Sequence, residues 1–128
     1  MTIEKPQRET VKLQASPRKR EVYWCDYPPS ECLHLPEFWK RRPVVVVSRH
    51  ATLSGVVTVV PITSKRQPNP QFSVMIRSPL DGRDAWIVCN HVTTMAVSRL
   101  LPSCGKPLIS EEEYRDVIDK IIGSLARA

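Results

Sequence analysis

The sequence predicts a mainly β (α+β) fold: a small antiparallel barrel or curled sheet with one amphipathic helix packed on it. Three observations predict it. Five or six short strand-like segments follow one another at close spacing, the chain between them is rich in proline and turn signals, and only the C-terminus changes to a helical period.

The strands come in order. "EVYWCDY" (Glu21–Tyr27) is aromatic and β-branched and alternates by two, so it reads as the first strand. "PPSECLHLPEFWKRRP" (residues 28–43) holds four prolines and reads as a long loop. "VVVVS" (Val44–Ser48) is a buried strand by length and branching. A turn at Ser54-Gly55 leads into "VVTVVPITS" (Val56–Ser64), expected to break or bend at Pro61, where a ladder donor is missing. "FSVMIR" (Phe72–Arg77) alternates cleanly, and Asp81-Gly82 is a hairpin-type turn signal. "AWIVCNHV" (Ala85–Val92) reads as one strand, and a short last strand falls around residues 99–103.

The helix carries its own start signal. Ser110 opens S-E-E-E, a capping box with Glu113 at the third helical position. Tyr114, Val117, Ile118, Ile121, Ile122 and Leu125 then form one apolar stripe. Acidic residues crowd the first turn and Arg127 falls in the last, as the helix dipole favours.

The 128 residues suit one domain, with 41% hydrophobic and 25% charged residues, 4 glycines and 12 prolines. The net charge is +6, but residues 1–20 carry six Lys/Arg against Glu4 and Glu9, so most of the excess sits in a polar leader. Residues 1–18 therefore read as a basic N-terminal extension whose order the sequence leaves open, with residues 1–17 taken as a solvated tail, and residues 19–128 as the folded domain. The apolar stretches are strand-sized, so no membrane span is expected, and no secretory h-region is visible. Cys25, Cys32, Cys89 and Cys104 show no C-x-x-C pair, so reduced thiols, no metal and a cytoplasmic location are expected. Cys32 and His34 could begin a metal site, but no second ligand pair follows at suitable spacing.

Two segments could carry chemistry. In Lys40-Arg41-Arg42-Pro43 the proline pushes Arg42 into extended geometry, so Arg41 and Arg42 should point to opposite faces. These cations are either gatekeepers against edge pairing or one of them is turned into a functional concavity. In "PITSKRQ" (Pro61–Gln67), hydroxyls at Thr63 and Ser64 precede Lys65 and Arg66. Such a strand end can hold a phosphate, or be an ordinary polar exit.

The order "EVYWCDY", "RRPVVVVS", "GVVTVVPITS", "AWIVCNHVTTM", "LISEEEYRDVIDKI" resembles the MazF/PemK family of toxin endoribonucleases, from about Glu21 to the C-terminal helix. The resemblance implies an SH3-like barrel with a C-terminal helix, usually a homodimer. It also implies metal- and cofactor-independent cleavage of single-stranded RNA, which stops translation and growth. The arginine of the family's R-P pair falls on Arg42 and the threonine of its P-x-T-S segment on Thr63, so these two are the expected catalytic pair. Ser64, Arg41, Lys65 and Arg66 are expected to bind substrate, with Lys40 near the RNA backbone. Trp39, beside Phe38, could stack on bases or cover the core, and His91 could donate a proton or be structural. A cognate antitoxin is the implied partner, and DNA is reached only through it. The sequence departs from the family in three places: Arg20 near a usual glycine, "PPSECLHLPEFWKR" in place of a G-x-E-Q-type loop, and Asn90 for a usual acidic residue. Two other readings keep the fold without catalysis: a toxin that binds DNA gyrase, and a regulatory interaction module.

Overall fold

The structure is a computed structural model that describes residues 9–27, 40–102, 105 and 107–126. Seven strands make one antiparallel sheet: β1 (Val22–Asp26), β2 (Arg41–Val46), β3 (Val56–Thr63), β4 (Ser73–Arg77), β5 (Asp84–Val88), β6 (Thr93–Ala96) and β7 (Leu100–Leu101). Helix α1 (Glu111–Ser124) follows them. The ladder runs β4-β5-β3-β2-β1-β7, with β6 also on β3. The expected mainly β architecture with a C-terminal helix is found. Among the described residues the sheet does not close into a barrel, because β4 and β7 end the ladder.

The four-valine run is explained by burial on both faces. Val45 joins Val22, Val60 and Ile62 in one core, while Val44 and Val46 join Cys25, Val57 and Val59 in a second. A strand covered on both sides has no polar alternate positions, so its sequence is uniformly apolar. Each fully buried valine contributes about 1.5–3 kcal/mol. The first core continues into Val74, Ile76, Ala85 and Ile87 and is closed by Val117 and Ile121 of α1. The second is closed from the N-terminal side.

Around Leu13 the chain departs from the solvated tail expected for residues 1–17, of which residues 1–8 lie outside the described ones. Leu13 is buried in the second core, Val11 packs against it, and Lys12 Nζ donates to Ser98 O at 3.2 Å. A lone leucine in a polar leader has no periodicity to announce it.

Three further expectations shift. β2 begins at Arg41 rather than Val44, because Arg41 and Arg42 pair with Asp26 and Cys25. β3 runs through Pro61 without a break. Pro61 pairs with Val44, and on the β5/β6 side it falls between the Ile62↔Ile87 and Val59↔Thr93 pairs, where no ladder donor is required. The segment 85–92 is not one strand: after β5 a 3-10 turn (Cys89–His91) leaves the ladder, buries Cys89 in the first core and packs on α1 before β6 resumes on β3.

The capping box is present, with Ser110 Oγ accepting from Glu113 N at 3.0 Å and Ser110 N donating to Glu113 Oε1 at 2.9 Å. Tyr114, Val117, Ile118 and Ile121 pack on the first core, whereas Ile122 and Leu125 are exposed. Arg127 lies outside the described residues. The hairpin turn at Asp81-Gly82 also forms: Gly82 takes φ +73° and Arg83 N donates to Asp81 Oδ1 at 2.9 Å. No helix among the described residues is long and apolar enough to cross a membrane.

Candidate active site

Extended geometry before Pro43 sends the two arginines apart, as the pleat requires. Arg41 stands opposite Asp26 and its Nε donates to Asp26 Oδ1 at 3.0 Å on an exposed face. Arg42 stands opposite the buried Cys25, on the face that carries Val44 and Val46. Its guanidinium is half-buried, and burial pushes it below its ordinary value while Tyr27 opposes the shift. A guanidinium so placed remains a cation at neutral pH.

Thr63 reaches the same face from β3. The β2–β3 ladder ends at the Val44↔Pro61 pair, and Arg42 and Thr63 each lie two residues beyond it, on the same face of their strands. Thr63 is buried, and its Oγ1 accepts from Lys65 N at 3.1 Å, which leaves the hydroxyl hydrogen to donate. Thr63 pairs in turn with Trp86 of β5, and Trp86 with Met75 of β4. Two cross-strand groups, Cys25 with Arg42 and Thr63 with Trp86 and Met75, therefore follow one transverse line, with the end of the β2–β3 ladder between them. The line passes from full burial at Cys25 to 62% exposure at Met75.

The neighbours of Arg42 are electrically quiet. Burial pushes the Cys25 thiol up to about 12, with Arg99 opposing, so it stays protonated beside the guanidinium. Burial likewise pushes the Tyr27 phenol above its ordinary range, with Arg42 opposing. Arg99 is tied down, its Nη1 donating to Asp26 O at 3.1 Å.

Of the other expected site residues, Ser64, Lys65 and Arg66 are exposed immediately after Thr63. Trp39 and Phe38 lie outside the described residues. His91 sits in the 3-10 turn rather than on a strand, half-buried, with burial lowering its affinity for a proton. The ladder does not bring it into this line. Tyr27, Trp86 and Met75 are the members that sequence reasoning missed. Alternation could have found their faces, but not the register that joins them.

A family model described as "PemK-like, MazF-like toxin of type II toxin-antitoxin system" matches residues 18–125. The chain belongs to this family. No curated protein matches the toxin in sequence. Its fold is similar to that of MazF (Form-I) from Deinococcus radiodurans, with TM-score 0.66 at 19% identity over 84% of this chain and 94% of that one. It is also similar to the Mycobacterium tuberculosis toxin MazF-mt6, with TM-score 0.61 at 19% identity over 82% and 95%. A mycobacterial endoribonuclease in complex with its cognate antitoxin gives TM-score 0.60 at 20% identity over 84% and 93%. These likenesses support the fold; no observation supports a gyrase-binding role.

Arg20, at the place of a usual family glycine, takes φ +76° in this toxin. Its Nε donates to Ile109 O at 3.0 Å and its Nη1 lies 3.7 Å from Glu111 Oε1, which holds the left-handed backbone in place. Two clefts, of about 490 and 640 Å³, lie beside the segment 12–19, around Glu21 and Tyr23. Neither is lined by Arg42 or Thr63. Among the described residues no three His, Cys, Asp or Glu side chains gather as a metal site would.

Proposed function

We propose that this toxin is a metal-independent endoribonuclease acting on single-stranded RNA. The observation that carries the reading is that Arg42 and Thr63 lie on one face of the neighbouring strands β2 and β3, each two residues beyond the Val44↔Pro61 pair. A cation with a fixed fork of donors, beside a hydroxyl with a hydrogen to give, is what a phosphoryl group gaining charge requires. Family membership and the endoribonuclease among the similar folds support it.

The chemistry is transesterification. The ribose 2′-oxygen attacks the adjacent phosphorus, the P–O2′ bond forms and the P–O5′ bond breaks. The 2′-hydroxyl releases its proton and the departing 5′-oxygen takes one up, leaving a 2′,3′-cyclic phosphate and a 5′-hydroxyl. Arg42 neutralises the charge that grows on the non-bridging oxygens, and Thr63 donates a hydrogen bond to one of them. Arg42 does not serve as the base, since it holds its proton throughout. Ser64, Lys65 and Arg66 guide the RNA backbone past the pair. Arg41, bound to Asp26, contributes less to this than the sequence suggests.

The physiological partner is a cognate antitoxin, whose acidic segment would compete for the same basic face. Assembly as a homodimer is part of the same proposal. The purified toxin, incubated with long single-stranded RNA in EDTA, should give discrete fragments with 5′-hydroxyl ends, located by primer extension. Intact RNA from folded, antitoxin-free protein would move the toxin to a binding role.

A further inference from the structure

Core packing does not explain the placement of Trp86. Its chain neighbours Ala85 and Ile87 both enter the first core, while Trp86, on the opposite face, belongs to neither core. It is half-buried between Thr63 on one side and the 62%-exposed Met75 on the other. Strands lie about 5 Å apart, so the indole stands about one strand spacing from the Thr63 hydroxyl and about two from Arg42. The exposed charges around it are mostly cationic: Lys65 and Arg66 follow Thr63, while Arg77, on the outer face of β4 with Met75, stands opposite Asp84 of β5.

An aromatic face bordered by cations and set beside a phosphate-binding pair matches one ligand well, an unpaired base whose own phosphate lies at that pair. A purely apolar partner would not need the cations, and a purely anionic one would not need the indole.

We propose that Trp86 is a substrate-binding residue that stacks on the nucleobase flanking the scissile phosphate, with Met75 closing the outer edge of the platform. The proposal rests on the ribonuclease reading and names how that site holds its substrate. Stacking reads no hydrogen-bond pattern, so this subsite fixes the position of a base and tolerates its identity. Met75, flexible and polarizable, adapts to either ring size.

The test separates the platform from the chemistry. A short RNA spanning a mapped cut, with every 2′-hydroxyl methylated to prevent cleavage, is titrated with wild type, Trp86→Ala and Trp86→Phe, and read by fluorescence anisotropy. Trp86→Ala should weaken binding about 5- to 150-fold, and Trp86→Phe by less. A second arm leaves the protein untouched: removing the flanking base from the RNA should weaken wild-type binding by a similar factor and leave Trp86→Ala nearly unaffected. Equal binding by wild type and Trp86→Ala, with cleavage retained, overturns the proposal and leaves the ribonuclease reading standing. Unchanged RNA binding with lost self-association or antitoxin binding also overturns it, assigning the platform to a protein contact. Folded wild type that neither cleaves nor binds RNA overturns both.

Discussion

Arg42 combines two demands that oppose each other. A phosphoryl clamp is strongest where water is thin, yet burial works against a cation. The half-buried position opposite Cys25 lies between the two: burial lowers the guanidinium's hold on its proton without removing its charge at neutral pH. Lysine would not replace it, since a point charge lacks the fork that spans two phosphoryl oxygens. His91 shows the opposite case, a titratable group held neutral. Its folded affinity for a proton lies below the ordinary value of 6.5, so the unfolded chain takes up the proton first as pH falls. The stability linked to His91 is therefore whole above 6.5 and is lost as pH drops from there through the lower folded value. Thermal midpoints measured from about pH 7 to about pH 5 should fall more steeply for wild type than for His91→Gln. Parallel slopes would show that His91 titrates alike in both states.

Among the elements, the strap around Leu13 contributes more than its composition suggests. It lies outside the segment matched by the family model, yet Leu13 completes the second core against Val44, Val46 and Val97. Val44 and Val46 alternate with Val45 on the strand that presents Arg42, so the strap packs on the same face of β2 as Arg42. Leu13→Ala should destabilise the fold by about 2–3 kcal/mol in a denaturant titration, while cleavage below the unfolding transition persists. A loss under about 0.5 kcal/mol, the range of ordinary surface substitutions, would mean that the leucine is dispensable. Elements with local signals were legible in the sequence. The Ser110 capping box, the Asp81-Gly82 turn and the branched runs of β2 and β3 each announce themselves within a few residues. The 3-10 turn at Cys89–His91 was not legible, because "AWIVCNHV" has the composition of a strand and only the pull of Cys89 into the core interrupts it.

At the scale of the whole molecule, the proposed site depends on how β1, β2, β3, β5 and β4 lie side by side. Arg42 and Thr63 were singled out in the sequence by the R-P and P-I-T-S segments. Trp86 and Met75 were not, since a tryptophan in an apolar run reads as core until its partners across the ladder are known. Seen along this line, buried Cys25, half-buried Arg42, buried Thr63, half-buried Trp86 and exposed Met75 lead from the interior to solvent, with the cation and the hydroxyl between Cys25 and Trp86. The central claim is that Arg42 and Thr63 act together on one phosphoryl group. The direct measurement is a double-mutant cycle of single-turnover RNA cleavage in EDTA, using wild type, Arg42→Ala, Thr63→Val and the double variant. Each single change should slow cleavage about 100- to 1000-fold, and the double should lose clearly less than the product of the two, as for groups serving one transition state. Single variants that cleave at the wild-type rate, or two losses that multiply in full, would contradict it.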